Sequence, residues 1–454
     1  IESTRGEAVF KLVEESKTIA ENLTMTNGSL TIDNANGSLK LEKGKTYQLI
    51  ETTAPKGYEL TTITFSFNDY GLPDDNEIVQ NDCHVEIRDQ MVDINLTKTG
   101  MNTLESIEND TIGYASFMIE PVSGSTFADG STTKIENITT TNVNTVLKGQ
   151  LVAGNQYLLK EVLAPKGYET SDVVFEVNAD GTIKVISGQG IVSDHDSTRL
   201  YVRNQKTSLT LQKVNKNGAS IESKEHYAHF TITGTFAGEG YTSYNVTSAN
   251  IEETLKGKLI SSEWYTLEEI QTLNTYYKPS PMTIRFMLDS QGNIKDNYTV
   301  TMNEKSDEET KAYVQVSGSQ LMIENDDFTT QLEFYKQDSS SQEGISGAVF
   351  KLYYSETPFV TTVQDGENKG DILTNRYQNS FVQEVASDSN GKVSLNLTKK
   401  GHYLLIETSN TGYQSDHFMI GTFDIGDEDY NQTLSLDDVS MNVIQGTMIN
   451  DKVV

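Results

Sequence analysis

The chain has 454 residues, a formal net charge of −30 and 36% hydrophobic residues. This length suggests roughly three or four domains, each with its own core. The strong acidity argues against a nucleic-acid partner, because phosphate binding needs clustered lysine and arginine, and it fits an extracellular or surface protein. The sequence contains no apolar run of about 18 residues that would predict a membrane span.

The first predicted strands end in acidic residues on an apolar face. Residues 8–10 form a small-x-Phe element, and residues 47–51 place a tyrosine, a leucine and Glu51 at alternating positions. Residues 85–89 alternate in the same way and end in Asp89. Strand side chains alternate between faces, so both acids continue an inward-facing row. A carboxylate there is costly unless it is neutralised or paired.

The next set of elements begins with a lysine. Residues 94–98 end an alternating apolar row in Lys98, the tyrosine–leucine–glutamate triplet recurs with Glu161, and residues 200–204 end in Asn204. By the same alternation these three side chains lie on the buried faces of a first, a middle and a last strand.

Two further sets repeat this order of lysine, glutamate and asparagine. The residues are Lys213, Glu269 and Asn325, followed by Lys336, Glu407 and Asn450. The lysines at 98, 213 and 336 are 115 and 123 residues apart, a spacing typical of whole domains rather than of solenoid repeats. Short alternating runs separated by Asn-Gly and Asp-Gly turns predict antiparallel strands throughout. We expect domains at 1–92, 93–206, 207–327 and 328–454, called repeats 1 to 4 below.

A turn motif after the glutamate strand points to a known family. Residues 54–58 read Ala-Pro-Lys-Gly-Tyr, residues 164–168 repeat them, and residues 403–413 keep the strand and the Gly-Tyr pair. Together with the small-x-Phe element, this resembles collagen-adhesin B-type (CnaB) repeats over essentially the whole chain. Repeat 3 lacks Gly-Tyr and diverges most. The resemblance implies an all-β fold of four tandem immunoglobulin-like, prealbumin-like β-sandwich domains in an elongated array.

The resemblance also implies intramolecular isopeptide bonds. They would join Lys98 to Asn204, Lys213 to Asn325 and Lys336 to Asn450, with Glu161, Glu269 and Glu407 as catalytic residues. Burial favours the neutral forms, so the lysine amine can attack the amide while the protonated glutamate donates to the carbonyl oxygen and moves protons. The alternative is a buried Lys–Glu ion pair with an asparagine hydrogen bond and no covalent bond.

Repeat 1 departs from this pattern. It has Glu51 as the catalytic candidate and Asp89 as the acceptor, but in the other repeats the lysine precedes the phenylalanine by 14 to 19 residues. Only nine residues precede Phe10. We therefore expect Asp89 to be an acceptor without a lysine.

Other site classes find little support in the sequence. Cys83 is the single cysteine, which excludes an internal disulfide, and its parity predicts a core position. We expect no metal site and no cofactor, because His226 and His229 would lie on opposite strand faces and the acidic runs lack calcium-loop spacing. No phosphate loop or catalytic triad is present, so we expect no enzyme beyond a single self-processing turnover. From the look of its two ends, we expect the chain to be a piece excised from an ectodomain.

The functional expectation is a structural stalk or pilus segment of a Gram-positive cell-surface protein that presents an adhesive tip. Its partners would be other pilus subunits or the cell wall. The alternative is an adhesin whose repeats, especially repeat 3, bind a host protein or a glycan. Trp264 precedes an inward tyrosine and so points outward, which makes it a candidate ligand contact.

Overall fold

The protein is described here from a computed structural model. The structure describes residues 5–450 except 26–27, 33–38, 40, 70–86, 223–226, 272, 278–281, 303–306, 365–367, 411, 415–417 and 448, with the backbone alone at 277, 307–308 and 449–450. Cys83 and His226 lie outside the described residues.

The described residues of repeat 1 form a four-stranded sheet in the order β2-β1-β3-β4. Its strands are β1 (Val9–Glu14), β2 (Lys17–Thr24), β3 (Thr46–Thr53) and β4 (Thr62–Ser66). The alternation in β3 works as predicted, because Tyr47, Leu49 and Glu51 are buried while Gln48 is exposed. These side chains pack on a small core that includes Phe10.

Repeat 2 packs a five-stranded sheet against a three-stranded one. Its elements are β5 (Asn95–Gly100), β6 (Ser116–Pro121), β7 (Ile135–Ile138), α1 (Val143–Val146), β8 (Gln156–Leu163), β9 (Asp172–Val177), β10 (Ile183–Gly188), β11 (Gly190–Val192) and β12 (Arg199–Asn204). The strand orders are β10-β9-β8-β6-β7 and β11-β12-β5. One core contains side chains from both sheets, so the repeat is a β-sandwich.

Repeat 3 has the same architecture. Its elements are β13 (Thr210–Val214), β14 (His229–Phe236), β15 (Gly240–Thr247), α2 (Ile251–Leu255), β16 (Trp264–Gln271), β17 (Tyr276–Tyr277), β18 (Thr283–Met287), β19 (Thr299–Thr301), α3 (Asp307–Lys311), β20 (Val314–Ser317), β21 (Gln320–Glu324) and β22 (Asp326–Asp327). The main sheets are β15-β14-β16-β18-β19 and β13-β21-β20, and β17 pairs with β22.

Repeat 4 adds a helix to the sandwich. Its elements are β23 (Thr330–Tyr335), β24 (Gln337–Asp338), β25 (Val349–Ser355), α4 (Lys369–Arg376), a 3-10 helix at Gln378–Ser380, β26 (Phe381–Ala386), β27 (Lys392–Leu397), β28 (Gly401–Ser409), β29 (Ile420–Ile425), a 3-10 helix at Asp427–Asp429, β30 (Thr433–Leu434), β31 (Asn442–Gln445) and β32 (Ile449–Asn450). The sheets are β26-β25-β28-β29-β31, β27-β23-β30 and β24-β32. Leu373 of α4 belongs to a second apolar cluster with Leu404 and Ile406 of β28.

The predicted all-β fold with repeated sandwich-like domains is confirmed. Each repeat has its own main core, and the first and last strands of repeat 2 lie side by side in parallel. Parallel neighbours also occur between β13 and β21 and between β24 and β32. This adjacency brings residues from the start and the end of repeats 2, 3 and 4 together.

The Lys-Gly-Tyr turns join successive repeats. The Gly57 carbonyl accepts a hydrogen bond from the amide of Val92 at 3.0 Å, and the Val92 carbonyl accepts one from the Gly149 amide at 2.9 Å. The next junction has the same two hydrogen bonds. The Thr207 amide donates to the Gly167 carbonyl at 3.0 Å, and the Gly257 amide donates to the Thr207 carbonyl at 2.8 Å. A Cβ atom built on Gly167 would lie 2.1 Å from the Gly257 carbonyl oxygen, so only glycine fits between the repeats.

Gly167→Ala should loosen the junction between repeats 2 and 3. The turn has a φ of +86°, which costs about 1–2 kcal/mol for alanine, and the collision with Gly257 adds to that cost. We expect hydrogen exchange at the Thr207 and Gly257 amides to accelerate at least tenfold. Gly412→Ala is the matched control, because Gly412 has a φ of +89° and its Cβ would meet none of the described residues within 4 Å. Equal local effects in the two variants would show that the collision is unimportant.

Candidate cross-linking sites

The glutamate strand has the same register in all four repeats. Each glutamate lies opposite the phenylalanine of the small-x-Phe element, directly after a shift in strand register. The pairs are Phe10 with Glu51, Phe117 with Glu161, Phe230 with Glu269 and Phe350 with Glu407. The bulge bends the strand and fixes which side chain turns inward beside the aromatic ring.

The lysine and asparagine strands are also paired in one register. In repeat 2, Lys98 lies opposite Val202, and Asn204 lies opposite the residue two positions after the lysine. In repeat 4, Asn450 pairs with Asp338, which again lies two positions after Lys336. In repeat 3, Lys213 pairs with Ile323, and Asn325 follows two residues later. The sheet therefore places the backbone of each predicted pair in the same relation.

In repeat 2 the three predicted side chains contact one another. The Lys98 Nζ donates to Asn204 Oδ1 and lies 3.2 Å from Glu161 Oε2. Asn204 Nδ2 donates to Glu161 Oε1 at 3.1 Å. The Ser171 backbone amide donates to Glu161 Oε2 at 2.9 Å, and its hydroxyl donates to Asn204 Oδ1 at 2.7 Å. All three predicted side chains are at most 3% exposed, so their polar atoms depend on each other.

Repeat 3 has the same arrangement despite its divergent turn. Lys213 Nζ donates to Asn325 Oδ1 and lies 3.2 Å from Glu269 Oε2. Asn325 Nδ2 donates to Glu269 Oε1 at 3.3 Å. The site is therefore complete even where the sequence resemblance is weakest.

In repeat 4 the lysine and the glutamate meet in the same way. Lys336 Nζ lies 2.8 Å from Glu407 Oε2 and donates to the Thr447 carbonyl at 3.0 Å. The Met419 amide donates to Glu407 Oε2 at 3.0 Å. The side chain of Asn450 lies outside the described residues, so its predicted contact stays a prediction.

Burial shifts the pKa values of the three lysines and of Glu161 in the direction that favours their neutral forms. It lowers the pKa of Lys98 to about 8, although the Glu161 carboxylate acts in the opposite direction. Burial likewise raises the pKa of Glu161, against the effect of Lys98. The pKa values of Lys213 and Lys336 are lowered by burial as well. A proton can therefore pass from lysine to glutamate at lower cost than in water.

The glutamate contacts differ from the predicted ones in one respect. The sequence-based mechanism expected a hydrogen bond from the acid to the asparagine carbonyl oxygen. In repeats 2 and 3 the glutamate carboxyl group instead accepts a hydrogen bond from the asparagine amide nitrogen. The asparagine carbonyl oxygen accepts a hydrogen bond from the lysine. One carboxyl group thus touches both the amine and the nitrogen that would leave as ammonia.

The described part of repeat 1 brings its two acids together without a lysine beside them. The Thr61 amide donates to Glu51 Oε2 at 2.9 Å, and the Thr61 side chain hydrogen-bonds to Asp89. Among the described residues, Glu51 Oε1 and Asp89 Oδ1 have no partner. Burial is the main cause and the nearby Asp89 a smaller one that together raise the pKa of Glu51 to about 7, against the opposing effect of the Thr61 amide. Burial also raises the pKa of Asp89.

Residues that sequence patterns did not reveal complete these sites. Thr61 and Ser171 hold the glutamate through backbone amides, and only their position at the start of the following strand could have signalled them.

Trp264 is partly buried, with the Arg285 guanidinium 4.5 Å from its ring centroid. No group of three metal-ligating side chains occurs in the described part of the chain. None of its helices is long and apolar enough to span a membrane.

The chain belongs to the SpaA family of prealbumin-like fold domains, which matches residues 3–81, 92–189 and 330–440. These segments lie in predicted repeats 1, 2 and 4 and cover more than half of the chain. The match confirms the resemblance to surface-protein repeats that the sequence motifs indicated.

Solved structures with a similar fold include proteins of bacterial pili. The pilus adhesin SpaC of Lactobacillus rhamnosus GG matches at 14% identity over 98% of this chain and 54% of that chain, with a TM-score of 0.36. The C-terminal fragment of SpaC matches at 17% identity over 52% of this chain and 97% of that one, with a TM-score of 0.27. BcpA, the major pilin subunit of Bacillus cereus, matches at 15% identity over 79% and 99%, with a TM-score of 0.29. This chain thus spans about half of the longer SpaC structure, and a search of curated proteins found no match.

Repeat 1 should lose stability as the pH rises from about 4.5 to about 7. Over this range folded Glu51 keeps a proton that the unfolded chain has released, so deprotonation favours unfolding by up to about 3 kcal/mol. We expect lower hydrogen-exchange protection factors in β1 and β3 at pH 8 than at pH 5. Glu51→Gln should weaken this dependence markedly, leaving the part due to Asp89. An unchanged pH dependence in the variant would contradict the assignment to Glu51.

Proposed function

We propose that the chain is a structural stalk or pilus segment of a Gram-positive cell-surface protein, held together by Lys–Asn isopeptide bonds. The observation that supports this most directly is the buried lysine–glutamate–asparagine contact, which links the first and last strands in repeats 2 and 3. In repeat 4 the Lys336–Glu407 contact and the backbone register of Asn450 support the same bond. We retain the predicted boundaries 1–92, 93–206, 207–327 and 328–454 as part of this proposal.

The proposed reaction begins with a proton transfer inside the ion pair. Lys98 gives a proton to Glu161 Oε2 across 3.2 Å, and the neutral amine attacks Cγ of Asn204. A C–N bond forms from the lysine and the C–Nδ2 bond breaks. Glu161 Oε1, 3.1 Å from Nδ2, is placed to protonate the departing nitrogen. The products are an amide and ammonia. The lysine ammonium loses two protons in total: one completes the ammonia, and the other stays on Glu161 or leaves with ammonia as ammonium.

The fold supplies the positioning that this reaction needs. Paired strands hold the amine and the amide together, so a bimolecular step becomes intramolecular. Water is excluded, because the reacting side chains are almost fully buried. The reaction occurs once per repeat, so the proposal describes self-processing and not enzymatic turnover.

A bond at this position would stabilise the protein as a load-bearing element. Lys98 and Asn204 are 106 residues apart. The bond would transmit tension directly between their two strands, so the residues between them would bear none. By analogy with a disulfide, closing a loop of this length contributes about 4–5 kcal/mol through the unfolded state. An extracellular, wall-anchored location, an adhesive tip and neighbouring pilus subunits are part of the same proposal, supported by the family membership.

The intact mass tests the three bonds together. Each bond releases one ammonia, so we expect a mass about 51 Da below the value calculated from the sequence. The measurement is denaturing mass spectrometry of the purified chain, followed by peptide mapping of each Lys–Asn pair. A mass equal to the calculated value would refute the covalent proposal.

The glutamate can be tested in repeat 3 with neighbouring variants. Glu269→Gln should remove the proton shuttle and reduce the mass deficit by about 17 Da, because one bond fails to form. Glu268→Gln is the matched control, since Glu268 lies next along β16 but is exposed. It should leave the deficit unchanged. Normal bond formation in the Glu269→Gln protein would show that the carboxyl group is dispensable.

A further inference from the structure

A glutamate follows the tyrosine of the Lys-Gly-Tyr turn at two junctions between repeats. It is Glu59 between repeats 1 and 2 and Glu169 between repeats 2 and 3. Both side chains are half-buried. Each lies against a turn of the following repeat, which comes directly after the strand that pairs with the glutamate strand there. These strands are β9 in repeat 2 and β18 in repeat 3.

Both junctions hold the glutamate against that turn in the same way. The residue after each glutamate donates its backbone amide to a carbonyl oxygen of the turn. These bonds join Leu60 to Ala179 at 3.0 Å and Thr170 to Ser290 at 2.7 Å. The glutamate Oε1 lies where a glycine of the turn has no side chain, because a Cβ atom would be 2.4 Å from it at Gly181 and 2.5 Å at Gly292. Each carboxyl group therefore touches the backbone of the next repeat.

The charged side chains that act on Glu59 repel its carboxylate. Burial is the largest cause that raises the pKa of Glu59, and repulsion from Asp180 of the turn and from Asp93 adds to it. Hydrogen bonds within its own turn lower the pKa of Asp180 and keep it charged. Two cations lie nearby but have other contacts. Lys148 is 3.6 Å from Asp93 Oδ2, and the Arg5 guanidinium lies over the preceding tyrosine, 5.6 Å from its ring centroid.

Glu169 is in the same electrostatic situation. Burial raises its pKa, and repulsion from Asp289 of the turn adds to this effect. The Asp289 carboxylate accepts three hydrogen bonds inside its own turn, which favour its charged form. The nearby Lys206 packs its side chain against Gly257.

The junction between repeats 3 and 4 has an ion pair instead. Tyr277 stands where the other two junctions have glutamate. The acid that follows the corresponding strand β29 is Asp427, and its Oδ1 lies 2.9 Å from Lys400 Nζ. The Lys400 amide donates to the Asn274 carbonyl of repeat 3 at 2.8 Å, so this ion pair lies directly at the junction.

We propose that the first two junctions are pH-dependent hinges, which tighten when Glu59 and Glu169 take up a proton and loosen when they are charged. A protonated carboxyl group lies beside an aspartate without charge repulsion and can donate a hydrogen bond to an oxygen of the turn. The third junction gains nothing from added protons, because its acid already has a cation beside it. The chain would therefore be stiffer in acidic surroundings at two of its three junctions. This proposal does not rest on the isopeptide bonds.

The direction follows from proton linkage. In an open junction the glutamate has its ordinary pKa of about 4.3, and in the closed junction its pKa is higher. The closed junction thus binds the proton more tightly. Its extra stability is fully present below the ordinary pKa and is lost as the pH rises through the raised one.

The test is the pH dependence of hydrogen exchange at the Thr170 amide in the full chain. Because this amide donates across the junction, its protection factor reports opening of the hinge. After correction for the intrinsic exchange rate, we expect the protection factor to fall by about threefold or more from about pH 4.5 to about pH 7.5. Glu169→Gln keeps the shape of the neutral acid and should abolish most of this fall. No fall in the unmodified chain, or an equal fall in the variant, would overturn the proposal.

The other junctions provide matched controls. Glu59→Gln removes the equivalent carboxyl group from the first junction, so it should leave the fall at Thr170 unchanged. It should reduce the fall at the Leu60 amide, where the part due to Glu51 remains. The Lys400 amide reports the third junction, and its protection should not increase in acid. An increase at Lys400 as large as that at Thr170 would show a general effect of acid and would refute the role of the glutamates.

Discussion

The contact between a lysine, a glutamate and an asparagine away from water is the constraint on which the repeats depend. Moving an ammonium and a carboxylate out of water costs several kcal/mol per ion, and the cost is offset only by close contacts. Here the nitrogen and oxygen atoms lie 3.2, 3.2 and 2.8 Å apart in repeats 2, 3 and 4. The lysine and the glutamate belong to the first and a middle strand, and the asparagine belongs to the last strand. The complete site therefore forms only after the whole sandwich has closed.

Repeat 1 shows that the acidic side of this contact does not depend on the lysine. Glu51 and Asp89 lie where their counterparts lie in repeat 2, although no described residue offers them an amine. Their positions follow from the bulge opposite Phe10 and from the contacts of Thr61. The sheet itself positions the two acids, and the raised pKa of Glu51 is the electrostatic consequence of that position.

Strand alternation explains why so much of the site could be predicted from the sequence. A period of two assigns Lys98, Glu161 and Asn204 to buried faces without any knowledge of the turns between them. Periodicity says nothing about which carboxyl oxygen meets which nitrogen, so the contact of Glu161 with the amide nitrogen required the structure. Helix α4 was also missed, because its eight residues bury only Leu373 and give no clear helical pattern.

The junctions were beyond sequence reasoning for a different reason. The Lys-Gly-Tyr turn carries a clear motif, but its partner, Gly149, lies in a turn 92 residues later than Gly57 and has no pattern of its own. Only the packed structure shows that the missing Cβ of one glycine makes room for the carbonyl of the other. In repeat 4 none of the described residues lies within 4 Å of a Cβ built on Gly412, so the Gly-Tyr motif alone does not indicate a contact.

The parallel pairing of β5 with β12 has a consequence for damage to the chain. The chain enters repeat 2 near Val92 and leaves it after Asn204, and the proposed bond would connect these two strands directly. Once that bond exists, the repeat is a closed ring and the polypeptide a branched polymer. A protease that cuts one exposed loop, such as the one at Asn102 and Thr103, would open the ring without dividing the molecule. Everything beyond the cut would stay attached, and a second cut within the same ring would be needed before any piece could diffuse away.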